Sequence, residues 1–242
     1  MKCMSSPESW NRDRQRGVFI VFEGISGSGK SEGISSLLRY AADLDPQPVV
    51  TEWNSNRFIR WIVTRLDQKR WLSPNLYSLL QWISFVIDYW RIIMPALWKG
   101  RTVIADRYMY TGLCRDEVNG SIQWLGEWVA GWVRKPDKVV YFHTSPVICF
   151  TRIQKRGKTL FYPKRKSSDA AKDDLTYLQN MHTAYMSTFS RYISKETELQ
   201  IAENGESYYM HQLAAYMLTH SERRSQTTIT LPSNPKEKAR EM

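Results

Sequence analysis

The chain alternates short apolar runs with stretches of helical periodicity. Residues 17–23, GVFIVFE, are continuously apolar up to the last position, the pattern of a strand buried on both faces of a parallel sheet. A glycine-rich turn follows, and SEGISSLLRYAADL then reads as a helix. PVVTEW (48–53) is a second short strand, and residues 57–69 form a helix. Ser73-Pro74 opens a long helix to about residue 99, since proline suits a first helical turn, and Gly100 closes it. RTVIAD (101–106) and KVVYFH (138–143) are the third and fourth strands. Pro146 opens a helix to about Arg156, and Asp173 to Ile193 is another. LQIA (199–202) is the last strand, and Ser207 to Leu218 the last helix. Strands joined by helical crossovers imply a three-layer α/β/α architecture around a central, parallel five-stranded sheet. Residues 1–16 are polar, and 221–242 lack periodicity and carry two prolines. They read as a flexible leader and a disordered tail around one domain spanning 17–220.

Composition narrows the class. At 242 residues, 42% hydrophobic and 24% charged, the chain suits one substantial core and excludes collagen-like, coiled-coil and wholly disordered readings. Cys3, Cys114 and Cys149 are odd in number and far apart, which argues against a disulfide framework or a zinc site and for a reducing, cytoplasmic compartment. The leader has no apolar core, so it is not a secretory signal. Leu76 to Trp98 has the length of a membrane span but contains Gln81, Asp88, Arg91 and Pro95. Two charges near its middle would cost roughly 2.5–3.5 kcal/mol each in a bilayer, so an amphipathic or buried helix is the better reading, with no membrane partner.

The strongest chemical signal is Gly24-Ile25-Ser26-Gly27-Ser28-Gly29-Lys30-Ser31, which fits G-x-x-x-x-G-K-[ST] between a buried strand and a helix. Glycines let backbone N–H groups converge on an anion without Cβ clashes, and the helix N-terminus presents its positive end to the same phosphates. Lys30 can reach β- and γ-phosphates, and the Ser31 hydroxyl can ligate Mg²⁺. The fold class is thus that of phosphate-loop (P-loop) NTPases, with a nucleotide polyphosphate and Mg²⁺ as the expected ligands; the loop alone does not separate kinases from GTPase switches or motor ATPases.

Asp106-Arg107-Tyr108 follows directly on the third strand. A carboxylate there can hold Mg²⁺ directly or through water, and the arginine a second phosphate. No N-K-x-D guanine-reading signature occurs, which disfavours a GTPase. The net charge of +10 is concentrated: residues 152–172 carry Arg152, Lys155, Arg156, Lys158, Lys164, Arg165, Lys166 and Lys172 against Asp169 alone. Phosphoryl transfer needs cations around the transferring group, and the phosphate loop supplies only Lys30, so this stretch reads as a lid that closes on polyphosphate. A solvated loop and a nucleic-acid patch are its other readings, the latter not favoured.

Three segments carry a resemblance: FEGISGSGKS, the block LSPNLYSLLQWISFVIDYWRIIMPALWKGRTVIADRYMYT, and KPDKVVYFHTSPVICFTRIQKRGK. In order and spacing, from about 17 to 218, the chain resembles the thymidylate kinase family of nucleoside-monophosphate kinases. TEWNSN with DRYMYTGLCRD resembles a divergent branch of it. The resemblance implies ATP-dependent phosphorylation of a deoxynucleoside monophosphate, dTMP first, usually in a homodimer. It implies Gly24 to Ser31 around ATP, Asp106 and Ser31 at Mg²⁺, and Arg107 on the acceptor phosphate. Arg152 and Arg156 stand in the lid opening R-x-x-x-R-G, with Arg156 beside the hinge residue Gly157 as the expected transition-state cation. Trp53, Trp82, Tyr108 and Arg115 join Arg107 as expected acceptor contacts, with Trp53 and Trp82 as the candidates for stacking on the base and Trp82 at the family's stacking position. The arginine that reads thymine in the family falls here on Phe85 or Val86, and Glu52-Trp53-Asn54-Ser55-Asn56 replaces its Arg-Glu-Pro-Gly-Gly turn. Base choice is therefore open, and weaker discrimination for thymine is expected. A kinase acting on another nucleotide, or on a modified base in DNA, keeps the same ATP site. A nucleotide binder without turnover would need neither Asp106-Arg107 nor the lid.

Three further features have less direct readings. Trp124, Trp128 and Trp132 share one helix face, for which core packing is the first expectation and a subunit interface the second. His143, His182, His211 and His220 show no ligand spacing. Glu23 ends the first strand, either orienting loop groups or as an ordinary strand-end acid.

Overall fold

A computed structural model describes residues 17–157, 160–163, 170–203 and 208–229, with the side chains of 170, 208 and 221–229 outside that description. The expected leader, and the lid residues Lys158, Lys164, Arg165, Lys166 and Asp169, lie outside it as well.

Strands β1 (Phe19–Glu23), β2 (Val49–Glu52), β3 (Val103–Asp106), β4 (Lys138–His143) and β5 (Glu198–Glu203) form one parallel sheet in the order β2-β3-β1-β4-β5. β1 is fully buried at the centre, which is why its sequence is continuously apolar. Its alternate residues serve two cores. Ile20 and Phe22 pack with Ile34 and Leu37 of α1 (Lys30–Tyr40) and with Met210, Leu213 and Met217 of α9 (Tyr208–Ile229). Phe19 and Val21 face the opposite layer, built from α3 (Pro74–Asp88), α4 (Met94–Trp98), α5 (Met109–Asn119), α6 (Trp124–Trp132), α7 (Pro146–Lys155) and α8 (Ala170–Tyr192). Helix α2 (Arg57–Gln68) lies against α3 through Ile59, Val63 and Tyr77.

The structure departs from the sequence reading in four places. The long helix from residue 74 is interrupted by a π-turn at Tyr89–Ile93, where the Met94 N–H reaches back to the Tyr89 carbonyl. Pro95 offers no N–H, and its ring would press on the carbonyl four residues back, at Arg91; the wider turn makes room. Helix α5 was not expected. Met109 to Cys114, Asp116 and Asn119 are all buried, so it shows no polar face to give a period, and it contains Gly112. A Cβ on Gly112 would stand 2.7 Å from both the Trp53 and Trp82 rings. The last helix continues to Ile229, so the start of the expected disordered tail has helical backbone; 230–242 lie outside the described residues. Finally, Trp124 and Trp128 are about two-thirds exposed and Trp132 about one-third, because α6 buries Gly126, Val129 and Ala130 instead. Core packing is thus overturned for these tryptophans. Among the described residues no helix is long and apolar enough to cross a membrane.

Candidate active site

Parallel pairing sets the C-terminal strand ends side by side: Phe22 is in register with Asp106, Glu52 with Asp106, and Glu23 with Tyr141. The loop after β1 therefore opens at that edge, next to Asp106 and Arg107, where open α/β sheets carry their ligands. Gly24, Gly27 and Gly29 all take positive φ. At Gly27 the requirement is double, since a Cβ there would meet the Cys149 carbonyl oxygen at 2.6 Å. Thr144 at the end of β4 braces the loop by donating to the Ser28 carbonyl, 3.1 Å.

Lys30 is buried, and its Nζ donates to the Gly24 and Ile25 carbonyls, both at 2.9 Å. Burial, reinforced by the nearby Arg107 guanidinium, lowers its pKa to about 7, against the opposing pull of Asp106, Glu23 and Cys149. Ser31 is exposed at the first turn of α1. Asp106 Oδ1 is buried and has no hydrogen-bond partner.

Arg107 holds a left-handed backbone, φ 77°, rare for a side chain of its size. Its Nη1 donates to Thr111 Oγ1 (3.3 Å) and Tyr185 Oη (3.1 Å), and its Nη2 to Ser26 Oγ (3.4 Å). Behind these hydroxyls stands Glu23, fully buried. Its Oε1 accepts from the backbone N–H of Tyr108 (2.8 Å) and Thr111 (3.3 Å); its Oε2 accepts from Thr111 Oγ1 (2.6 Å) and Tyr185 Oη (3.0 Å). Burial raises its pKa, opposed by the Thr111 hydrogen bond and by Arg107. Glu23 is thus the hub that fixes the start of α5 and the two hydroxyls that carry Arg107. The sequence signal for it was its place at the end of a buried strand, which left the ordinary alternative equally open.

A cavity of about 180 Å³ lies between the loop, α3, α5 and α8, and Ile25, Ser26, Tyr77, Arg107, Arg115 and Tyr177 line it. Leu160 and Phe161 of the lid stretch line it as well. The structure brings Ile25, Ser26, Arg107 and Arg115 together at this cavity. It does not bring Trp53, Trp82 or Tyr108 into the cavity. Trp82 is 1% exposed, packed on Gly112 and Gly126, with its Nε1 donating to Asp116 Oδ2 at 2.7 Å. Trp53 is buried, stacked on Phe85 at 5.0 Å. Tyr108 is buried against Phe19 and Phe85, its hydroxyl donating to the Arg134 carbonyl. These rings serve the core because α5 packs so closely on α3 that no space is left at that level. The turn of α3 that faces the cavity carries Tyr77, with Gln81 one turn further on. Neither was expected at the site from the sequence.

At the lid's start, Arg152 Nη1 donates to the Gly27 carbonyl at 3.3 Å. Arg156 is exposed at the C-terminal end of α7, where Gly157 takes φ 60°. One helical turn separates the two, and the cation at the loop is Arg152. Among the described residues, Cys114 and Cys149 are free and buried thiols, with burial pushing Cys149 up to about 11.

Comparison with known proteins identifies the family. The thymidylate kinase family pattern matches residues 22–207. "Probable thymidylate kinase 2" of Saccharolobus solfataricus is 37% identical over 146 residues, covering 60% of this chain and 68% of that protein. The thymidylate kinase of Nitrosomonas europaea is 30% identical over 147 residues, covering 58% and 68%. The crystal structure of thymidylate kinase from Ehrlichia chaffeensis shares the fold, with a TM-score of 0.58 at 16% identity over 84% of this chain and 99% of that one. The chain belongs to the thymidylate kinase family.

Proposed function

We propose that this thymidylate kinase family member transfers the γ-phosphoryl group of ATP to the 5′-phosphate of dTMP, yielding dTDP and ADP. The observation that carries the reading is the convergence of two cationic sites on one strand edge. Lys30 lies in the phosphate loop. Arg107, hydrogen-bonded to Ser26 of the same loop, reaches into the adjoining cavity.

Roles follow from position. The backbone of Gly24 to Ser31 and the N-terminus of α1 cradle the ATP phosphates. Lys30 exchanges the Gly24 and Ile25 carbonyls for phosphate oxygens and becomes fully charged in doing so. Arg107 holds the acceptor phosphate within reach of the γ-phosphoryl group, so that transfer becomes a matter of positioning and charge stabilisation. Arg152, already on the Gly27 carbonyl, is the described lid cation that touches the phosphate loop, which makes it the candidate to stabilise charge on the transferring group. Asp106 and Ser31 fit a divalent ion: Asp106 Oδ1 is buried and unpartnered, and both offer hard oxygen donors, as Mg²⁺ prefers. When bound, Mg²⁺ would neutralise charge on the β- and γ-phosphate oxygens.

The reading includes a homodimer. Trp90, Trp98, Trp128 and Trp132 form a contiguous exposed aromatic face on α4, α6 and the π-turn, with Trp90 and Trp132 stacked at 6.3 Å. A two-fold interface pairs such a patch with itself, and tryptophan is favoured at its centre. Sedimentation should give a dimer for the native chain and a monomer for the Trp90→Glu/Trp128→Glu variant. The buried free thiols suit a reducing, cytoplasmic setting.

The testing experiment is coupled ADP release with ATP and Mg²⁺ across the deoxynucleoside monophosphates, with single-stranded DNA as an additional acceptor. Turnover with dTMP supports the reading. Turnover with DNA alone, or nucleotide binding without turnover, would replace it.

A further inference from the structure

Cavity-lining Arg115 has no role in the transfer just described. It sits on α5 one turn beyond Thr111, the residue that carries Arg107, and both arginines line one cavity. Arg107 is committed to the loop end through Ser26, Thr111 and Tyr185. Arg115 lines the same cavity beside Tyr77, Tyr177 and the apolar Leu160, Leu178 and Met181. A nucleoside monophosphate brings two groups to such a cavity, an anion for Arg107 and a flat, edge-polar base for which Arg115 is the remaining cation.

The arginine is held from behind. Its Nη1 donates to Gln81 Oε1 at 3.4 Å, and that same oxygen accepts from Trp53 Nε1 at 3.1 Å and from Asn54 Nδ2. Three converging donors fix which way the Gln81 amide points, so the Gln81 carbonyl is a rigid anchor. Trp53 is itself locked in the core by its stack on Phe85. The Arg115 guanidinium thereby has a fixed acceptor to hold it at the cavity.

We propose that Arg115, anchored by Gln81, reads the acceptor's base and selects one with a carbonyl oxygen at that edge. The inference rests on the kinase reading of the same cavity. A guanidinium has five N–H donors and no acceptor. The 4-keto oxygen of thymine or uracil accepts from it, whereas the 4-amino group of cytosine sets donor against donor. A site that hydrogen-bonds its substrate rejects a mismatched analogue strongly, because its own buried group is left unpaired. Thymine selection is then stronger than expected from the lack of an arginine at Phe85 or Val86, since the reading cation comes from α5 rather than α3.

The test compares dTMP, dUMP and dCMP with the native protein, Arg115→Met and Arg115→Gln. Both kcat/KM and calorimetric binding are measured, and KM for ATP and the melting temperature serve as controls. The native protein should prefer dTMP and dUMP over dCMP by about 100-fold or more, within the range of a good bidentate base contact. Arg115→Met should lose most of that ratio through weaker dTMP binding. Arg115→Gln, whose amide can offer either a donor or an acceptor, should bring dCMP close to dTMP while leaving KM for ATP unchanged. If the variants fold and keep the native dTMP-to-dCMP ratio, the inference fails while the kinase reading stands. If the native protein turns over no deoxynucleotide, the kinase reading fails. The binding ratios then decide the inference alone, and a native protein that binds dTMP and dCMP equally, or neither, overturns it.

Discussion

Replacing Glu23 with glutamine tests whether a buried carboxylate outside the cavity governs the acceptor site. The carboxylate accepts four hydrogen bonds, two from backbone N–H groups and two from hydroxyls. With glutamine, the remaining oxygen can keep the two backbone donors, and the new NH₂ then faces Thr111 Oγ1 and Tyr185 Oη. Those hydroxyl oxygens, 2.7 Å from each other, already receive the Arg107 Nη1. The Thr111 hydroxyl can then donate to Tyr185, and the Tyr185 hydroxyl keeps only a long contact to the Gly24 carbonyl, 3.4 Å. A buried donor so poorly satisfied costs about 1–3 kcal/mol. Against this stands the relief of a desolvated charge: burial raises the Glu23 pKa above 4.5, so the ionised form opposes folding at neutral pH. The sign follows, since an acid with a raised folded pKa lowers stability as pH rises through that interval. A net loss of about 2 kcal/mol would lower the melting temperature by roughly 4–8 °C for a chain of this size. The larger effect should be kinetic. Arg107 keeps its strained φ through the contacts Glu23 organises, and a displacement of about 1 Å can cost around 10²-fold in rate. Glu23→Gln should therefore remain folded, raise KM for the acceptor or lower kcat by about that factor, and leave KM for ATP near native. A variant with native melting and native acceptor kinetics would show that Glu23 does not position Arg107.

Other perturbations address the loop and the lid. Lys30 sits at a pKa of about 7 and must be charged to hold phosphate, so ATP binding at pH 8 should take up most of one proton. Calorimetry in buffers of different ionisation enthalpy measures this; Lys30→Met should abolish the uptake and the turnover together, and uptake persisting in that variant would assign it elsewhere. The same depressed value means that the stability associated with Lys30 is present above about pH 10.5 and is lost as pH falls toward 7, since the unfolded lysine binds the proton first. Arg152→Ala should lower kcat by about 10³-fold, on the scale of arginine fingers, while Arg156→Ala stays within a few-fold; the reverse order would return the catalytic cation to Arg156. Gly27→Ala, with φ 83° and the Cys149 carbonyl 2.6 Å from the added Cβ, should melt well below native. Gly131→Ala, in the helical α6 with nothing within 4 Å, should melt slightly higher, by the equivalent of about 0.5–1 kcal/mol.

What the sequence determined by itself is local. The apolar run at 19–23, the glycines and Lys30 that follow it, and Asp106-Arg107 after another apolar run needed no tertiary knowledge. A buried parallel strand has a compositional signature, and a phosphate loop is one continuous turn whose backbone requirements fall on adjacent residues. The parallel sheet then sets those strand ends in one row, so this half of the site was legible. The acceptor half was not, because its residues come from helices whose rotation is decided by packing. Periodicity could not say whether Trp82 or Tyr77 turns toward the cavity. The answer lies in Gly112 and Gly126, which admit the Trp82 ring to the core and leave Tyr77 to line the cavity. Likewise Trp124, Trp128 and Trp132 read as core from their spacing, yet the small residues Gly126 and Ala130 pack inward and the tryptophans stay exposed. Glu23, Thr111 and Tyr185 lie far apart in sequence and meet only when β1, α5 and α8 converge. A hydrogen-bond network assembled across three elements leaves no spacing in any one of them, which is why tertiary structure alone could reveal it.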